Sequence, residues 1–245
     1  MIWFRAFVFS LLITLLPIHP ALLALPQPIS QGGNARTLTI AANDKQPGFI
    51  LRISTRGRTG LVEVRKKSGS LLETLSCPLS RDEPKATELE AVTQEFVAGF
   101  AAEDLDFDGY MDLKGPWEFG AKWVRYCVWL YDPESHTFSG AYKKRPLAEQ
   151  MELLYNLQAD PKSRRISSHS IGPVNPMWDE YQIQGLDKDR PYWPRLIPVQ
   201  SCLMQSDPGG KTISVATHYE GGKPTVTRQE RQPEDKRPMP ELCGK

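Results

Sequence analysis

Apolar and polar residues alternate along much of this chain. Phe49, Leu51 and Ile53 alternate with Ile50, Arg52 and Ser54, Val62 and Val64 alternate with charged residues, and Ile213, Val215, Thr217 and Tyr219 alternate with smaller or polar ones. A period of two sends every second side chain to the same face, which predicts strands with one buried face. The run Tyr126–Tyr131 (YCVWLY) is apolar on both faces and predicts a central strand. Turn-forming runs at Lys67–Ser70, Asp132–Ser135, Asp160–Ser163 and Glu220–Lys223 lie where hairpin connections belong. Only Lys85–Val97 and Leu147–Leu157 read as helical. The expected fold is all-β: a single domain over residues 49–228, built of antiparallel strand-turn-strand units in a propeller-like or twisted-sandwich arrangement, with one or two short helices. Residues 25–48, rich in Pro, Gly, Asn and Gln, read as an extended lead-in. Residues 229–245, with three prolines and many charges, read as a tail of disordered composition.

The first residues add a destination. Arg5 is the only charged residue among the first 35, and Phe7–Leu16 is apolar except for Ser10 and Thr14. Pro17 and Pro20 break that run, and Ala21–Ala24 supplies small residues for cleavage. This order reads as a secretory signal peptide over residues 1–24. The run falls short of the roughly 20 apolar residues that a spanning helix needs. Removing residues 1–24 lowers Lys plus Arg from 30 to 29 against 29 Asp plus Glu, so the mature chain is near neutral. A neutral balance gives no electrostatic drive toward nucleic acid or an anionic membrane. Cys77, Cys127, Cys202 and Cys243 make an even count, which in an exported chain reads as two disulfides with three possible pairings. Cys77 ends one predicted strand and Cys127 lies within another, so these two are expected to pair, leaving Cys202 and Cys243 to pin the tail. No Cys-x-x-Cys or Cys/His spacing points to zinc or redox chemistry.

The most specific motif is Asp104-Leu-Asp106-Phe-Asp108-Gly109-Tyr110-Met-Asp112. Calcium takes six to eight hard oxygen ligands, and alternating carboxylates on a tight turn supply them. Gly109 permits the sharp bend after the third carboxylate. The expected ligands are Asp104, Asp106, Asp108, the Tyr110 carbonyl and Asp112. The twelfth position, where an EF-hand carries Glu, is Gly115, and the flanks read as strand. The motif is therefore similar to the strand-flanking calcium loops of FG-GAP and integrin-type repeats.

The surrounding stretch Phe100–Phe138 (FAAEDLDFDGYMDLKGPWEFGAKWVRYCVWLYDPESHTF) resembles a family of periplasmic immunity proteins associated with antibacterial type IV secretion systems. The resemblance rests on the calcium loop, Phe119-Gly120-Ala121, the YxxWLYDPxxxxF strand and turn over Tyr126–Phe138, the strand Arg164–Ser168, and Asp179-Glu180-Tyr181. It covers roughly residues 60–220. It implies a periplasmic, non-enzymatic protein that neutralises a lysozyme-like peptidoglycan hydrolase, with an architecture similar to periplasmic lysozyme inhibitors. Such hydrolases act with a pair of carboxylates in a cleft, which an inhibitor blocks with hydroxyls, small residues or a cation. Ser139-Gly140-Ala141-Tyr142 looks like the Ser-Gly-x-Tyr loop of some lysozyme inhibitors and is the first candidate for partner contact. His169, within Ser167–Ser170, is a second, and Trp193 in Pro191–Arg195 is a candidate anchor. The alternative is a calcium-stabilised wall- or glycan-binding module with exposed aromatic residues. An enzyme would have to use carboxylates such as Glu118, Asp132, Asp179 or Glu180. No nucleophile elbow, zinc helix, phosphate loop or triad signature accompanies them, and His136, His169 and His218 each stand alone.

Overall fold

A computed structural model describes residues 35–79, 86–120, 122–140, 146–170, 176–184, 194–206 and 211–231. The signal segment 1–24, the tail beyond residue 231, Tyr142 and Trp193 lie outside the described residues. The fold is all-β, as the alternation implies, and among the described residues the strands form three antiparallel sheets, each a meander in sequence order. The first sheet contains β1 (Arg36–Ile40), β2 (Phe49–Arg56), β3 (Thr59–Lys66) and β4 (Leu71–Pro78). After helix α1 (Ala86–Gly99) comes the second sheet: β5 (Ala101–Glu103), β6 (Asp112–Phe119), β7 (Val124–Asp132) and β8 (Thr137–Gly140). Helix α2 (Pro146–Glu152) leads to the third, with β9 (Gln158–Asp160), β10 (Arg165–Ser170), β11 (Met177–Gln184), β12 (Arg195–Ser206), β13 (Thr212–Glu220) and β14 (Lys223–Arg231).

The second sheet is buried on both faces, and β7 shows why its sequence is apolar throughout. Cys127, Trp129 and Tyr131 point into a core shared with the first sheet and α1, beside Phe49, Leu51, Ile53, Val62, Val64 and Phe96. Val128 and Leu130 point the other way, into a second core with Leu147 and Met151 of α2 and Ile166 of β10. The sheets therefore stack face to face, as blades of a propeller or layers of a sandwich do. Helix α1 is held in place by glycines: a Cβ on Gly60 of β3 or Gly115 of β6 would come within 2.4 Å or 2.7 Å of the Phe96 ring. Its C-terminal carbonyls are capped by a strand residue, as Arg36 Nη1 donates to Ala98 O at 2.8 Å.

Strand β8 pairs with only the last part of β7, from Trp129 to Asp132. The rest of that edge is finished by the last residue of α2 and the segment after it. Val128 N donates to Glu152 Oε1 (3.1 Å), Val124 N to Asn156 Oδ1 (3.0 Å), and Asn156 N to Val124 O (2.7 Å). Asn156 stands at φ 47°, and its Nδ2 also donates to His169 O of β10 at 2.7 Å, tying the second sheet to the third.

Three boundaries differ from expectation. The lead-in 25–48 is not merely extended, because Arg36–Ile40 pairs along its length with Phe49–Ile53 as an edge strand. Nor does the second helix run on to Leu157. It ends at Glu152, and the chain turns so that Leu154 and Leu157 fill the second core while Asn156 reaches β7. At the other end, β14 continues to Arg231, three residues into the expected tail.

Cys77 of β4 and Cys127 of β7 form the expected disulfide, which staples the first sheet to the second across 50 residues. Cys202, fully buried, is also disulfide-bonded, and Cys243 lies outside the described residues. No helix among the described residues is long and apolar enough to cross a membrane. Disulfides are compatible with an exported protein. Closing a loop of this length removes unfolded-state entropy, so the Cys77→Ala/Cys127→Ala double variant should lose about 2–4 kcal/mol in denaturant unfolding. An unchanged midpoint would show that the staple adds nothing to the packing.

Candidate metal centre

The loop between β5 and β6 carries the Asp motif, and its apolar residues anchor it in both cores. Leu105 is fully buried in the second core, with Phe107 packed against it. Tyr110 and Met111 pack against the first core, Tyr110 with its ring 5.4 Å from that of Tyr131. The backbone bends sharply to serve both: Phe107 sits at φ 63° and Gly109 at φ 91°. Glycine adopts such a conformation without strain, whereas Phe107 is held there by its packing.

This bend turns three carboxylates inward. Asp104, Asp106 and Asp108 each place an oxygen within 4.8 Å of the others. The loop's own amides supply part of their hydrogen bonding: Gly109 N donates to Asp104 Oδ2 (3.0 Å), Asp108 N to Asp106 Oδ1 (3.3 Å), and Tyr110 N to Asp108 Oδ1 (2.8 Å). Asp104 Oδ1 is buried and has no hydrogen-bond partner among the described residues. A buried anionic oxygen without a donor is costly, and a cation at this point would satisfy it. These three side chains can hold a metal ion.

Asp112 lies outside that trio. Its Oδ1 accepts from Tyr131 N at 2.8 Å and its Oδ2 from Leu105 N at 2.9 Å, with the residue only 1% exposed. The carboxylate thus closes the loop onto β7. Burial pushes its pKa well above the ordinary aspartate value, and the nearby Asp106 charge adds to that. Tyr110, the other expected ligand residue, faces the Asp108 carboxylate through its amide.

The loop is also gripped from both neighbouring sheets by residues that the sequence reading passed over. Lys45 Nζ donates to Asp108 O and Arg164 Nη2 to Phe107 O, each at 3.1 Å. Gln46, buried in the β1–β2 connection, uses both ends of its amide: Nε2 donates to Met111 O (3.1 Å) and Oε1 accepts from Met111 N (2.8 Å). The available signals were faint: an Asx-type turn begun by Asn43 and the polar turn Asp160–Ser163.

The other candidates are scattered. Ser139 is half-buried, and Gly140 is a packing requirement, since a Cβ there would meet Val128 O at 2.7 Å and the Trp129 ring at 2.8 Å. His169 is half-buried in β10, its amide donating to Tyr155 O at 2.9 Å, and burial lowers its pKa. The carboxylates weighed for catalysis each have structural partners: Glu118 with Arg125 (3.0 Å), Asp132 with Ser135 Oγ (2.8 Å), Asp179 with Ser201 and Tyr181, and Glu180 with Arg165 (3.3 Å). Asp179 and Glu180 are adjacent in β11 and so point to opposite faces.

No protein-family model matches the sequence, and no curated protein matches it. Among solved structures, a Xanthomonas type IV secretion system related protein superposes on 79% of this chain and 99% of its own, with 10% identity and a TM-score of 0.44. That likeness is too loose to assign a common fold.

The electrostatics of the loop give a signed expectation. Desolvation, and then the Asp108 charge, raise Asp106 from the ordinary 3.8 to about 7, and burial raises Asp104 as well. A carboxyl that binds its proton more tightly when folded stabilises the fold at low pH and loses that contribution as pH rises. Cation-free protein should therefore lose stability between pH 3.8 and about 7. Half-buried Glu152, also raised to about 7 by desolvation, contributes with the same sign. Added calcium should reverse the loop's share, raising the melting temperature more at pH 8 than at pH 5, because only the dissociated carboxylates are ligands. Thermal unfolding with and without chelator at both values checks this, and a calcium shift that is absent or larger at pH 5 would contradict it.

Proposed function

We propose that this chain is an exported calcium-binding immunity protein that inhibits a lysozyme-like peptidoglycan hydrolase in the periplasm by blocking its cleft. The observation that carries the calcium part is the inward-facing trio of Asp104, Asp106 and Asp108 with the unpartnered Asp104 oxygen. Support for inhibition comes from the resemblance over Phe100–Phe138, whose motif residues occupy key positions in the second sheet. The YxxWLYDP run is the doubly buried β7 with its turn, and Gly120 of the Phe119-Gly120-Ala121 run packs beneath Trp123, where a Cβ would lie 2.1 Å from the ring. An inhibitor of this kind acts as a rigid body that presents a loop. The disulfide, the two cores and the ion would supply the rigidity. The Ser139–Tyr142 segment starts from the tightly packed end of β8, a fixed base for such a loop.

One observation favours the glycan-binding reading instead. Trp123 and Tyr155 are half-buried and meet edge to face at 5.0 Å, with Arg125 over the Tyr155 ring at 5.0 Å. Partly exposed aromatic pairs offer a face to a sugar ring. Titrating the protein into a lysozyme-like hydrolase encoded beside it separates the readings. The inhibitor reading expects a stoichiometric complex with loss of muramidase activity, weakened by about 2 kcal/mol or more in Tyr142→Ala if that side chain is a hot spot. Retention on peptidoglycan with no effect on any such hydrolase would overturn it in favour of the binding module.

A further inference from the structure

We propose that the Asn43–Gln46 turn is a cation-responsive latch, through which occupation of the Asp104–Asp112 loop fixes the edge strand β1 against the second sheet. The proposal rests on the calcium reading above and adds what the ion would control.

Strand β1 is the outer strand of the first sheet and β5 the outer strand of the second. A groove of about 500 Å³ lies between them, lined by Leu38, Ile40 and Asn43 on one side and by Phe100, Ala102 and Met111 on the other. Side chains at the two ends of the β1 segment bridge to the middle of the protein. At its start, Arg36 binds the carbonyls that end α1, a contact that involves no Asp. At its far end, the connection to β2 is gripped by the metal loop itself.

That second attachment is compact and specific. Asn43 Oδ1 accepts from Lys45 N (2.8 Å) and Gln46 N (2.6 Å), and Asn43 N donates to Gln46 O (3.0 Å), so the turn is internally fixed. It presents Gln46 to both backbone atoms of Met111 and Lys45 Nζ to Asp108 O, with the ammonium 5.9 Å from the Tyr110 ring. Asp108 and Met111 belong to the loop whose shape the carboxylates decide. Without a cation, three carboxylates within 4.8 Å repel one another and favour a wider loop, displacing the atoms that the turn holds. With a cation, the carboxylates converge and those atoms stay in register. Because β1 is five residues long, mostly exposed and, among the described residues, paired on one edge only, its opening costs little, so it reports such a change first.

Hydrogen exchange on the full chain tests this, with calcium chloride against chelator at constant pH and calorimetry on the same samples. Calcium should slow exchange at residues 36–46 by about tenfold or more, with much less effect on Thr212–Glu220 of β13. Gln46→Ala should still bind calcium by calorimetry yet lose the slowing at residues 36–46. Gln46→Met, which keeps the volume but not the hydrogen bonds, serves if the alanine variant fails to fold. Calcium binding that slows the Asp loop but not residues 36–46, or slows every sheet alike, would overturn the latch and leave the metal site standing. No calorimetric binding would overturn the metal site, and the latch with it.

Discussion

Repulsion among the carboxylates of one loop is the constraint around which the rest of this protein is arranged. Asp104, Asp106 and Asp108 are brought within 4.8 Å of one another at a place where water is partly excluded, and Asp112 is buried beside them. Like charges in such surroundings either take up protons or gain a counter-charge. Contacts from all three sheets bear on the problem. The loop's own Leu105 amide and the Tyr131 amide of the second sheet donate to Asp112, the β1–β2 connection supplies Lys45 and Gln46, and the β9–β10 turn supplies Arg164. Both cationic side chains bind backbone carbonyls, which leaves the carboxylates of the trio turned toward one another. A divalent cation at that point would hold the loop closed and the contacts from the flanking sheets with it.

The stack explains how one loop can matter so widely. Its second sheet has no solvent face: alternate residues of β7 enter different cores, and the Asp loop places Leu105 in one and Tyr110 against the other. The Cys77–Cys127 bond adds a covalent tie on the side of the first sheet, while Asn156 adds a polar tie on the side of the third. A scaffold joined in this way suits a protein that works by presenting a fixed surface.

Much of this was legible in the sequence because the relevant signals are local. Alternation marked β2, β3 and β13, the doubly apolar YCVWLY run marked the central strand, and the Asp/Gly spacing marked the loop. The pairing of Cys77 with Cys127 followed from their places in strands. What escaped were contacts with no periodic signature. Strand β1 is short and polar on its exposed positions, so it reads as lead-in until β2 is there to pair with it. Gln46 looks like any loop glutamine, although its amide bonds both backbone atoms of Met111 and the residue is 1% exposed. The second role of Asp112 was hidden for a related reason: motif spacing suggests a ligand, whereas only the fold shows Tyr131 N arriving from 19 residues away. The early end of α2 depends on Asn156, whose left-handed conformation is set by partners in two sheets.

The central claim is that a cation sits among Asp104, Asp106 and Asp108 and holds the junction of the three sheets. Crystals grown with calcium, and then exchanged into a lanthanide, would locate it by anomalous scattering. The account predicts one strong peak between these carboxylates, within bonding distance of Asp104 Oδ1, with Gln46 still on Met111. A loop of the same shape with no peak at millimolar calcium, or a peak elsewhere, would contradict it.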